Sequence, residues 1–282
     1  MIPTAGPGDA TRLAAAAAAE GCQLVFAAGG DGTLREVASG LTHSQTILAP
    51  LPVGTANSFA RELGMPIAGV LQSPALDRYD DLLCGGTVQQ MDIGWNGKEI
   101  WLLWCGVGLD SYVIDRVEPR PRWSKSLGQT GYILQSLPWI PLFEGVPMSV
   151  EVDGTPINDT FMLVVISNCR RYGGEVVLNP TATLDDGVFE VWLFRGEKLQ
   201  DAVRYGTALL TGRHGDEPGV TILRARHVSV RSERPWPVHM DGEKAGSTPF
   251  WCTIRPGALR LLVPTSAPDD LFHARGTPLE CA

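Results

Sequence analysis

Residues 24–37 read LVFAAGGDGTLREV. The apolar run at residues 24–28 is typical of a short buried strand, and three glycines within the next four residues lead directly into a helical pattern. Glycine lets backbone N–H groups approach an anion without hindrance from a Cβ atom, and the helix directs its positive end to the same point. This order of elements predicts an α/β domain that binds phosphate. Asp31 adds a carboxylate, which beside phosphate is expected to hold a metal ion or to take a proton.

A second junction of the same kind lies at residues 47–61, ILAPLPVGTANSFAR. An apolar run is again followed by Gly54, Thr55 and Asn57 and then by a short helical segment. Two simpler interpretations stay open, because GGDGT alone fits an ordinary turn and Thr55 or Asn57 alone fits a helix cap. Two such junctions so close together predict a parallel sheet whose loops share one edge, where ligands of open α/β sheets bind.

The pattern of elements changes after about residue 85. Before it, apolar strands alternate with helical runs, as in βα units, and after it short alternating runs are separated by hairpin signals. The sequence therefore predicts a parallel-sheet α/β domain followed by a second, mainly antiparallel β domain. The predicted boundaries are residues 1–85 for the first domain, 86–265 for the second and 266–282 for a C-terminal tail.

Individual elements are predicted from apolar periodicity and from turn residues. Asp9 is expected to cap a first helix that ends at Gly21. Asn96-Gly97 predicts a two-residue hairpin between strands at residues 91–94 and 100–105, and Asp153-Gly154 and Asp241-Gly242 are similar signals. Further strands are predicted at residues 161–167, 188–194, 227–231, 251–254 and 259–263, and helices near 111–117, 128–137 and 198–210.

Composition limits the class of protein. The chain has 282 residues, 44% of them hydrophobic, which suffices for one large domain or two moderate ones. Its net charge of −8 gives no basic footprint for nucleic acid. No stretch is long and apolar enough to span a bilayer. The six cysteines have no metal-like spacing and lie mostly in apolar runs, so reduced thiols in a cytosolic protein are expected.

The two junctions resemble the signature loops of the diacylglycerol kinase catalytic superfamily, which includes bacterial lipid kinases and sphingosine kinases. GGDGT is also found in the more distant NAD kinases, whereas the GTAN-FAR pattern is closer to the lipid kinases. Gly173-Gly174, Pro180, the LDDGV segment at 184–188 and the MDGE segment at 240–243 resemble later family motifs. The resemblance implies a nucleotide-binding α/β domain, a β-sandwich lipid domain, and ATP-dependent phosphorylation of a neutral lipid such as diacylglycerol.

The resemblance also assigns roles to individual residues. Glu243 matches the proton acceptor of bacterial members, with a plain surface hairpin residue as the alternative, and Asp31 would act through the metal or help to deprotonate the acceptor. Asp186 would bind a structural Mg²⁺ with the backbone carbonyls of Thr183 and Val188, a ligand set that suits a hard cation, and a solvated turn is the alternative. The residues matched to nucleotide contacts are Thr4, Gly29, Gly30, Asp31, Gly32, Thr33, Leu34, Arg35, Gly54 and Thr55.

The family begins with a strand and an Asn-Pro-x-x-Gly loop for which the sequence offers no match. An opening βα unit is therefore expected to be missing, which would leave a strand edge unpaired. This departure keeps open a non-catalytic pseudokinase that binds lipid or nucleotide, and an NAD-kinase-like enzyme is the other alternative.

ATP and Mg²⁺ are the cofactors that the resemblance implies, and a neutral lipid at a membrane surface is the implied partner. A cytoplasmic protein with peripheral membrane association is expected, and the motifs leave a homodimer open. Trp123, flanked by Arg120, Arg122 and Lys125, predicts a basic–aromatic cluster suited to anionic headgroups.

Overall fold

The computed structural model describes residues 1–67, 83–117, 135–136, 138–174 and 176–279. The chain forms two compact units. The first comprises Met1–Ile93, Thr183–Gly187 and Arg255–Ala282, and the second comprises Gly94–Ala182 and Val188–Ile254. The predicted helix at 128–137, apart from residues 135 and 136, and the cluster around Trp123 lie outside the described residues.

The described residues form α-helices, 3₁₀ helices and strands in the following order. The α-helices are α1 (Asp9–Ala19), α2 (Asp31–Leu41), α3 (Ser58–Glu62), α4 (Leu109–Val117) and α5 (Leu199–Thr211), and two 3₁₀ helices span Ile140–Leu142 and His214–Asp216. The strands are β1 (Leu24–Gly29), β2 (Ile47–Pro52), β3 (Thr87–Trp95), β4 (Ile100–Trp101), β5 (Trp104–Gly108), β6 (Val146–Val152), β7 (Thr155–Ser167), β8 (Arg171–Tyr172), β9 (Val176–Val177), β10 (Phe189–Arg195), β11 (Val220–Ala225), β12 (His227–Ser232), β13 (Pro237–Met240), β14 (Glu243–Ser247), β15 (Phe250–Val263) and β16 (Thr277–Pro278).

The first unit contains the predicted parallel βα pattern. β1 and β2 pair in parallel from Leu24 opposite Ile47 to Gly29 opposite Pro52, and β15 joins β2 in parallel at Leu261. α2 buries Leu34, Val37, Ala38 and Leu41, a helical spacing that turns one face towards the strands. The carboxyl ends of β1 and β2 therefore lie side by side, and both glycine-containing loops leave the sheet there.

The second unit is built from antiparallel strands, as predicted. β7 pairs with β5, β6 and β10, β12 pairs with β6 and with the first half of β15, and β13 pairs with β5 and β14. Its core includes Trp101, which stacks on Phe189 at a centroid distance of 4.8 Å. The fold class expected from the sequence, an α/β domain plus a mainly antiparallel β domain, is confirmed.

Each unit consists of separate segments of the chain, whereas the sequence predicted continuous domains with boundaries at residues 85 and 265. The difference arises because two later segments, Thr183–Gly187 and Arg255–Ala282, belong to the first unit. The amide of Asp92 donates to the carbonyl of Leu184, and the amide of Leu184 donates to that of Leu271. Local patterns cannot reveal such returns, since the bonded residues lie far apart in sequence.

Three local predictions were wrong. Gly8, not Asp9, is the N-cap of α1, because Gly8 takes the left-handed conformation there and Asp9 begins the helix. The hairpin after β3 has four loop residues rather than two, since Trp95 pairs with Ile100 and the Asn96 side chain accepts hydrogen bonds from the amides of Lys98 and Glu99. The strands predicted at 251–254 and 259–263 are one strand, β15, which continues through Gly257 at φ +57°.

The strand predicted at residues 100–105 is interrupted between β4 and β5. The amides of Leu102 and Leu103 donate to the carboxylate of Asp241, each at 2.9 Å, and the amide of Trp104 donates to the same group at 3.3 Å. These bonds to a side chain replace ladder bonds to another strand. The interruption therefore has its cause in a residue more than a hundred positions further along the chain.

Candidate functional site

The glycine loop between β1 and α2 leaves backbone donors at the start of a helix. The first intrahelical bond of α2 runs from the amide of Leu34 to the carbonyl of Gly30. The amides of Asp31, Gly32 and Thr33 precede it and have no carbonyl partner within the helix. These three N–H groups lie at the carboxyl end of β1, where a helix of eleven residues presents its positive end. The arrangement suits an anionic group such as a phosphate.

The two loops at the ends of β1 and β2 are packed backbone against backbone. The carbonyl of Gly29 accepts hydrogen bonds from the amides of Val53 and Gly54, each at 3.2 Å. A Cβ atom on Gly54 would stand 2.4 Å from the Cα of Gly30, and one on Gly29 would stand 2.5 Å from the Cβ of Thr33. Side chains at Gly29 and Gly54 are therefore excluded by contact, which explains why both loops carry glycine.

Asp31 links the loop after β1 to the segment that follows β2 by hydrogen bonds. Its carboxylate oxygens accept hydrogen bonds from the amides of Ser58 at 2.9 Å and Phe59 at 3.0 Å, the first two residues of α3. The side chain of Asn57 bonds instead to the amide and carbonyl of Gly54. Asn57 does occupy the N-cap position of α3, but it makes no capping bond with its side chain. The expectation that Thr55 or Asn57 satisfies the first helical amides is wrong, because the carboxylate of Asp31 accepts those bonds.

The other residues matched to nucleotide contacts are spread over the same unit. Thr4 is exposed ahead of α1, Thr55 is exposed in the second loop, and Arg35 is partly exposed on α2. Leu34 has a buried side chain, and its amide already bonds to Gly30. The structure therefore brings the glycines, Asp31 and the amides of the first helical turn together, and it leaves Leu34 no free donor for a ligand.

Gly54→Ala is expected to weaken nucleotide binding at least tenfold and to lower the melting temperature, because the new methyl group would overlap the backbone of Gly30 and force the loops apart. Isothermal titration with ATP and thermal denaturation measure the two effects. Gly6→Ala is the matched control, since a Cβ on Gly6 meets no atom within 4 Å. Equal behaviour of the two variants would show that the close approach has no role.

Glu243 follows a tightly fixed turn in the second unit. Asp241 at φ +50° and Gly242 at φ +80° form the turn, and Met240 pairs directly with Glu243. Positive φ at both central residues is the geometry of a two-residue hairpin, as Asp-Gly predicts. The Asp241 carboxylate anchors the turn through its three amide donors, so that the backbone of Glu243 has a fixed position while its side chain is exposed.

The Asp-Asp-Gly turn of the first unit is also bound by carboxylates. Asp185 accepts hydrogen bonds from the amides of His273 and Ala274, and Asp92 accepts them from Gly187 at 2.6 Å and Gly257 at 2.7 Å. Burial is the main cause that raises the pKa of Asp92, and the hydrogen bonds from the amides of Gly257 and Gly187 oppose it. The negative charges of Asp186 and Asp185 raise the pKa further, by smaller amounts. The charges of Asp185 and Asp186 therefore act on the carboxyl group of Asp92.

The predicted metal ligands are divided between the units, since Thr183 and Asp186 belong to the first and Val188 to the second. The Thr183 hydroxyl lies 3.3 Å from Nδ1 of His273. Within the described ranges, no three His, Cys, Asp or Glu side chains form a group that could hold a metal ion. That finding concerns side-chain ligands, whereas the expected set has one carboxylate and two carbonyls, so the Mg²⁺ site stays a prediction.

The second unit contains an apolar cavity of about 280 Å³, most of whose lining the sequence did not predict. Its lining includes Leu109, Val113, Ile140, Met162, Phe194 and Leu209. One carboxylate, that of Asp110, also lines it and accepts a hydrogen bond from the Tyr172 hydroxyl at 2.7 Å. The hint in the sequence is the apolar and aromatic stretch at residues 132–147, which fits either core or a rim that admits acyl chains, and Ser136 and Ile140 of this stretch line the cavity.

His239 supports Asp110 from the side of β13. Its Nε2 lies 2.7 Å from Oδ2 of Asp110, and the ring is 1% exposed. A Cβ atom on Gly106 would stand 2.0 Å from Asp110 Oδ2 and 2.3 Å from His239 Nε2, so glycine is required for this pair to form. The carboxylate is thus held in place by two polar side chains while it faces an apolar space.

Two protein families match the chain, one over the region of the glycine loop and one over the region of the cavity. Residues 1–95 match the family described as the diacylglycerol kinase catalytic domain. Residues 105–263 match the one described as the YegS C-terminal NAD kinase beta sandwich-like domain.

Individual relatives agree with the family matches. The chain is 30% identical to a "Diacylglycerol kinase" of Bacillus subtilis (strain 168), over 86% of this chain and 78% of the relative. It is 31% identical to a "Probable lipid kinase YegS-like" of Pseudomonas aeruginosa (strain UCBPP-PA14), over 93% of this chain and 83% of the relative. A crystal structure of a diacylglycerol kinase from Bacillus anthracis str. Sterne is similar with a TM-score of 0.72 and 25% identity, covering 94% of this chain and 85% of that one.

The chain therefore belongs to the diacylglycerol kinase catalytic superfamily, in the branch that carries lipid kinases with a YegS-type second domain. The resemblance expected from the sequence is confirmed. Among the helices that the structure describes, none is long and apolar enough to cross a membrane.

Proposed function

We propose that this chain is an ATP-dependent lipid kinase that transfers the γ-phosphate of ATP to the hydroxyl group of a neutral lipid such as diacylglycerol. The observation that carries the choice of a lipid is the apolar cavity, whose described lining residues include one carboxylate, because a soluble acceptor such as NAD would need a polar site. We also propose that the enzyme acts in the cytoplasm, at the surface of a membrane that supplies the lipid acceptor.

The first unit would bind the nucleotide. The amides at the start of α2 and the close backbone approach of Gly30 and Gly54 fit a phosphate group, since they offer donors without side-chain hindrance. Mg²⁺, when bound with ATP, would neutralise phosphate charge during transfer. The two amide bonds of Asp31 favour a positioning role, in which this carboxylate fixes α3 and the second loop against the phosphate-binding turn.

Glu243 is proposed as the proton acceptor. Phosphoryl transfer needs an acceptor hydroxyl that is oriented and loses its proton, and a positioned carboxylate serves that purpose. The anchored Asp241–Gly242 turn supports the proposal because it fixes the backbone that carries Glu243. If Glu243 were an ordinary surface residue of a hairpin, the turn would not need the three amide hydrogen bonds that the Asp241 carboxylate accepts.

A structural Mg²⁺ at Asp186 is proposed with the carbonyls of Thr183 and Val188. The negative charges of Asp92, Asp185 and Asp186 in the same region support it, because a hard cation among oxygen ligands would offset their repulsion. Mg²⁺ is therefore expected to raise the melting temperature of the protein without nucleotide, and Asp186→Asn is expected to abolish that increase. Equal increases in both proteins would contradict the site.

The cavity is proposed to take the acyl part of the lipid, and Asp110 to accept a hydrogen bond from the lipid hydroxyl region. Ala202→Phe, which adds a ring to a residue that lines the cavity, is expected to raise the KM for lipid about tenfold or more. The KM for ATP should not change. Gln200→Phe, on the same helix but outside the cavity lining, is the matched control, and steady-state kinetics with a short-chain diacylglycerol distinguish the two. An unchanged lipid KM for Ala202→Phe would exclude this cavity as the acceptor site.

The acceptor class is tested with γ-labelled ATP and a panel of alcohols in mixed micelles. The panel contains diacylglycerol, monoacylglycerol, sphingosine and ceramide, with NAD as the soluble competitor. Label in one lipid supports the kinase and names its substrate, whereas label in NAD alone would replace the proposal by an NAD-kinase-like activity. Bound nucleotide without label in any acceptor would favour a pseudokinase.

A further inference from the structure

Helix α5 has an exposed apolar stripe in addition to its buried face. Leu199, Val203 and Leu210 are 42%, 58% and 82% exposed, and Gly206 lies between the last two. At 100° per residue, these four positions fall within an arc of about 60° on the helix surface. Single exposed apolar residues are common, but a continuous stripe along a helix of three to four turns needs an explanation.

The stripe continues into the apolar cavity of the same unit. Ala202, Gly206 and Leu209 of α5 line the cavity. Gly206 falls within the arc of the stripe, and Ala202 and Leu209 lie beside that arc on the helix surface. The 3₁₀ helix Ile140–Leu142 contacts α5 and repeats the arrangement, since Ile140 lines the cavity while Leu142 is 64% exposed. In both elements, apolar residues of the cavity wall therefore neighbour exposed apolar residues.

Charged residues of both signs flank α5. Lys198 precedes the helix and Arg213 follows it, both exposed. The pKa of Asp201 is lowered mainly by a hydrogen bond from the Lys198 amide and, among the smaller causes, by the charge of Lys198. Arg204 is paired with Asp201 and Glu217. Glu197 and Asp216 lie close by in sequence, so the net charge of the region is small and apolar contact must supply most of any binding energy.

We propose that the exposed stripe of α5, formed by Leu199, Val203 and Leu210, docks the protein on the surface of a lipid bilayer beside the mouth of the cavity. Helices with an apolar face and flanking cations lie at the headgroup level of membranes in this manner. The inference rests on the proposed function in choosing a bilayer as the partner. It adds that the lipid would pass from the bilayer to the cavity along these neighbouring apolar residues.

The test uses the full chain and vesicles of phosphatidylcholine with a minor fraction of phosphatidylglycerol. The double variant Leu199→Gln/Leu210→Gln is expected to lower the partition coefficient in co-sedimentation at least tenfold, because two exposed leucine side chains no longer enter the interface. Phe26→Gln is the matched control, since Phe26 is 53% exposed on β1 of the first unit and should have no effect. Circular dichroism checks that each variant is folded.

Kinetics separate docking from chemistry. Activity on long-chain diacylglycerol embedded in vesicles should fall with vesicle binding, whereas kcat on a monomeric short-chain diacylglycerol should stay within about twofold of the wild type, because the substituted leucines do not line the cavity. If the wild type phosphorylates no lipid at all, the proposed function fails, but the vesicle measurement still decides the docking surface.

Three results would overturn the docking proposal. One is a wild-type protein that does not bind the vesicles, and another is equal binding of wild type and the double variant. The third is a wild-type dimer that becomes a monomer in the double variant while vesicle binding persists, which would make the stripe an interface between two copies of the chain. Light scattering of both proteins detects that case.

Discussion

Replacing Glu243 by glutamine is expected to lower kcat for lipid phosphorylation about a thousandfold, within the range that general base catalysis contributes. Glutamine keeps the shape and length of the side chain but cannot accept the proton of the acceptor hydroxyl. Because Glu243 is exposed and its position depends on the backbone turn and on Asp241, the fold should survive. The free energy of unfolding should change by less than about 0.5 kcal/mol, as for other exposed positions.

Glu233→Gln provides the control for loss of a carboxylate, since Glu233 is an exposed glutamate of the same unit. Initial rates at saturating ATP and lipid, with calorimetric binding of ATP, separate the loss of chemistry from loss of binding. A Glu243→Gln protein with near-normal kcat would remove the proposed role of this residue and leave it as an ordinary hairpin position.

Asp31→Asn is expected to raise the KM for ATP at least tenfold and to destabilise the fold by about 1–3 kcal/mol, the cost of leaving a buried donor without a partner. The amide side chain offers one acceptor oxygen where the carboxylate offers two. It therefore cannot serve the amides of both Ser58 and Phe59, and the start of α3 loses its link to the glycine loop. Urea denaturation and steady-state kinetics measure the two effects.

Asp153→Ala is the control for a loss of stability alone. One oxygen of Asp153 accepts hydrogen bonds from the amides of both Arg226 and His227 in the second unit, so asparagine could keep both bonds whereas alanine removes them. This loss should lower stability without changing the KM for ATP. A positioning role for Asp31 further predicts an unchanged Mg²⁺ concentration for half-maximal rate. A marked increase in that concentration with normal stability would instead show that Asp31 acts through the metal.

The fold class could be predicted because most of the helices and strands that define it depend on residues close together in the sequence. The glycine loop after β1 and the periodic apolar face of α2 are contained within residues 24–41, and they suffice to predict a strand, an anion-binding turn and a helix. The Asp153-Gly154 and Asp241-Gly242 turns were found in the same way, since two-residue hairpins depend on the conformations of their own two residues.

Long-range hydrogen bonds from aspartates were not predictable. Asp31, Asp92, Asp185 and Asp241 each bind amides that lie between 27 and 165 positions away in the sequence. The bonds of Asp241 interrupt a predicted strand, and those of Asp31 take the place of a predicted side-chain cap. The bonds of Asp185 hold a late segment of the chain within the first unit. A carboxylate that joins two segments looks in sequence like any surface aspartate, so only the three-dimensional structure identifies it.

Most of the cavity lining was unpredictable for a related reason. The apolar stretch at residues 132–147 contributes Ser136 and Ile140, whereas the other lining residues come from α4, α5, β7, β8 and β10, none of which shows by itself that it lines a cavity. The pairing of Asp110 with His239 joins residues 129 positions apart and depends on the absence of a side chain at Gly106. The resemblance predicted a lipid domain, and the structure provides a cavity in which the lipid can be proposed to bind.

The central claim is that this chain transfers phosphate from ATP to a lipid hydroxyl. The most direct measurement is the amount of label extracted into the organic phase after incubation of the protein with γ-labelled ATP, Mg²⁺ and diacylglycerol in mixed micelles. A lipid kinase with Glu243 as proton acceptor should label the lipid in a time-dependent manner as wild type and only at background level as Glu243→Gln. Absence of label from wild-type reactions in which the protein still binds ATP would contradict lipid kinase activity, and equal labelling by both proteins would contradict the role of Glu243.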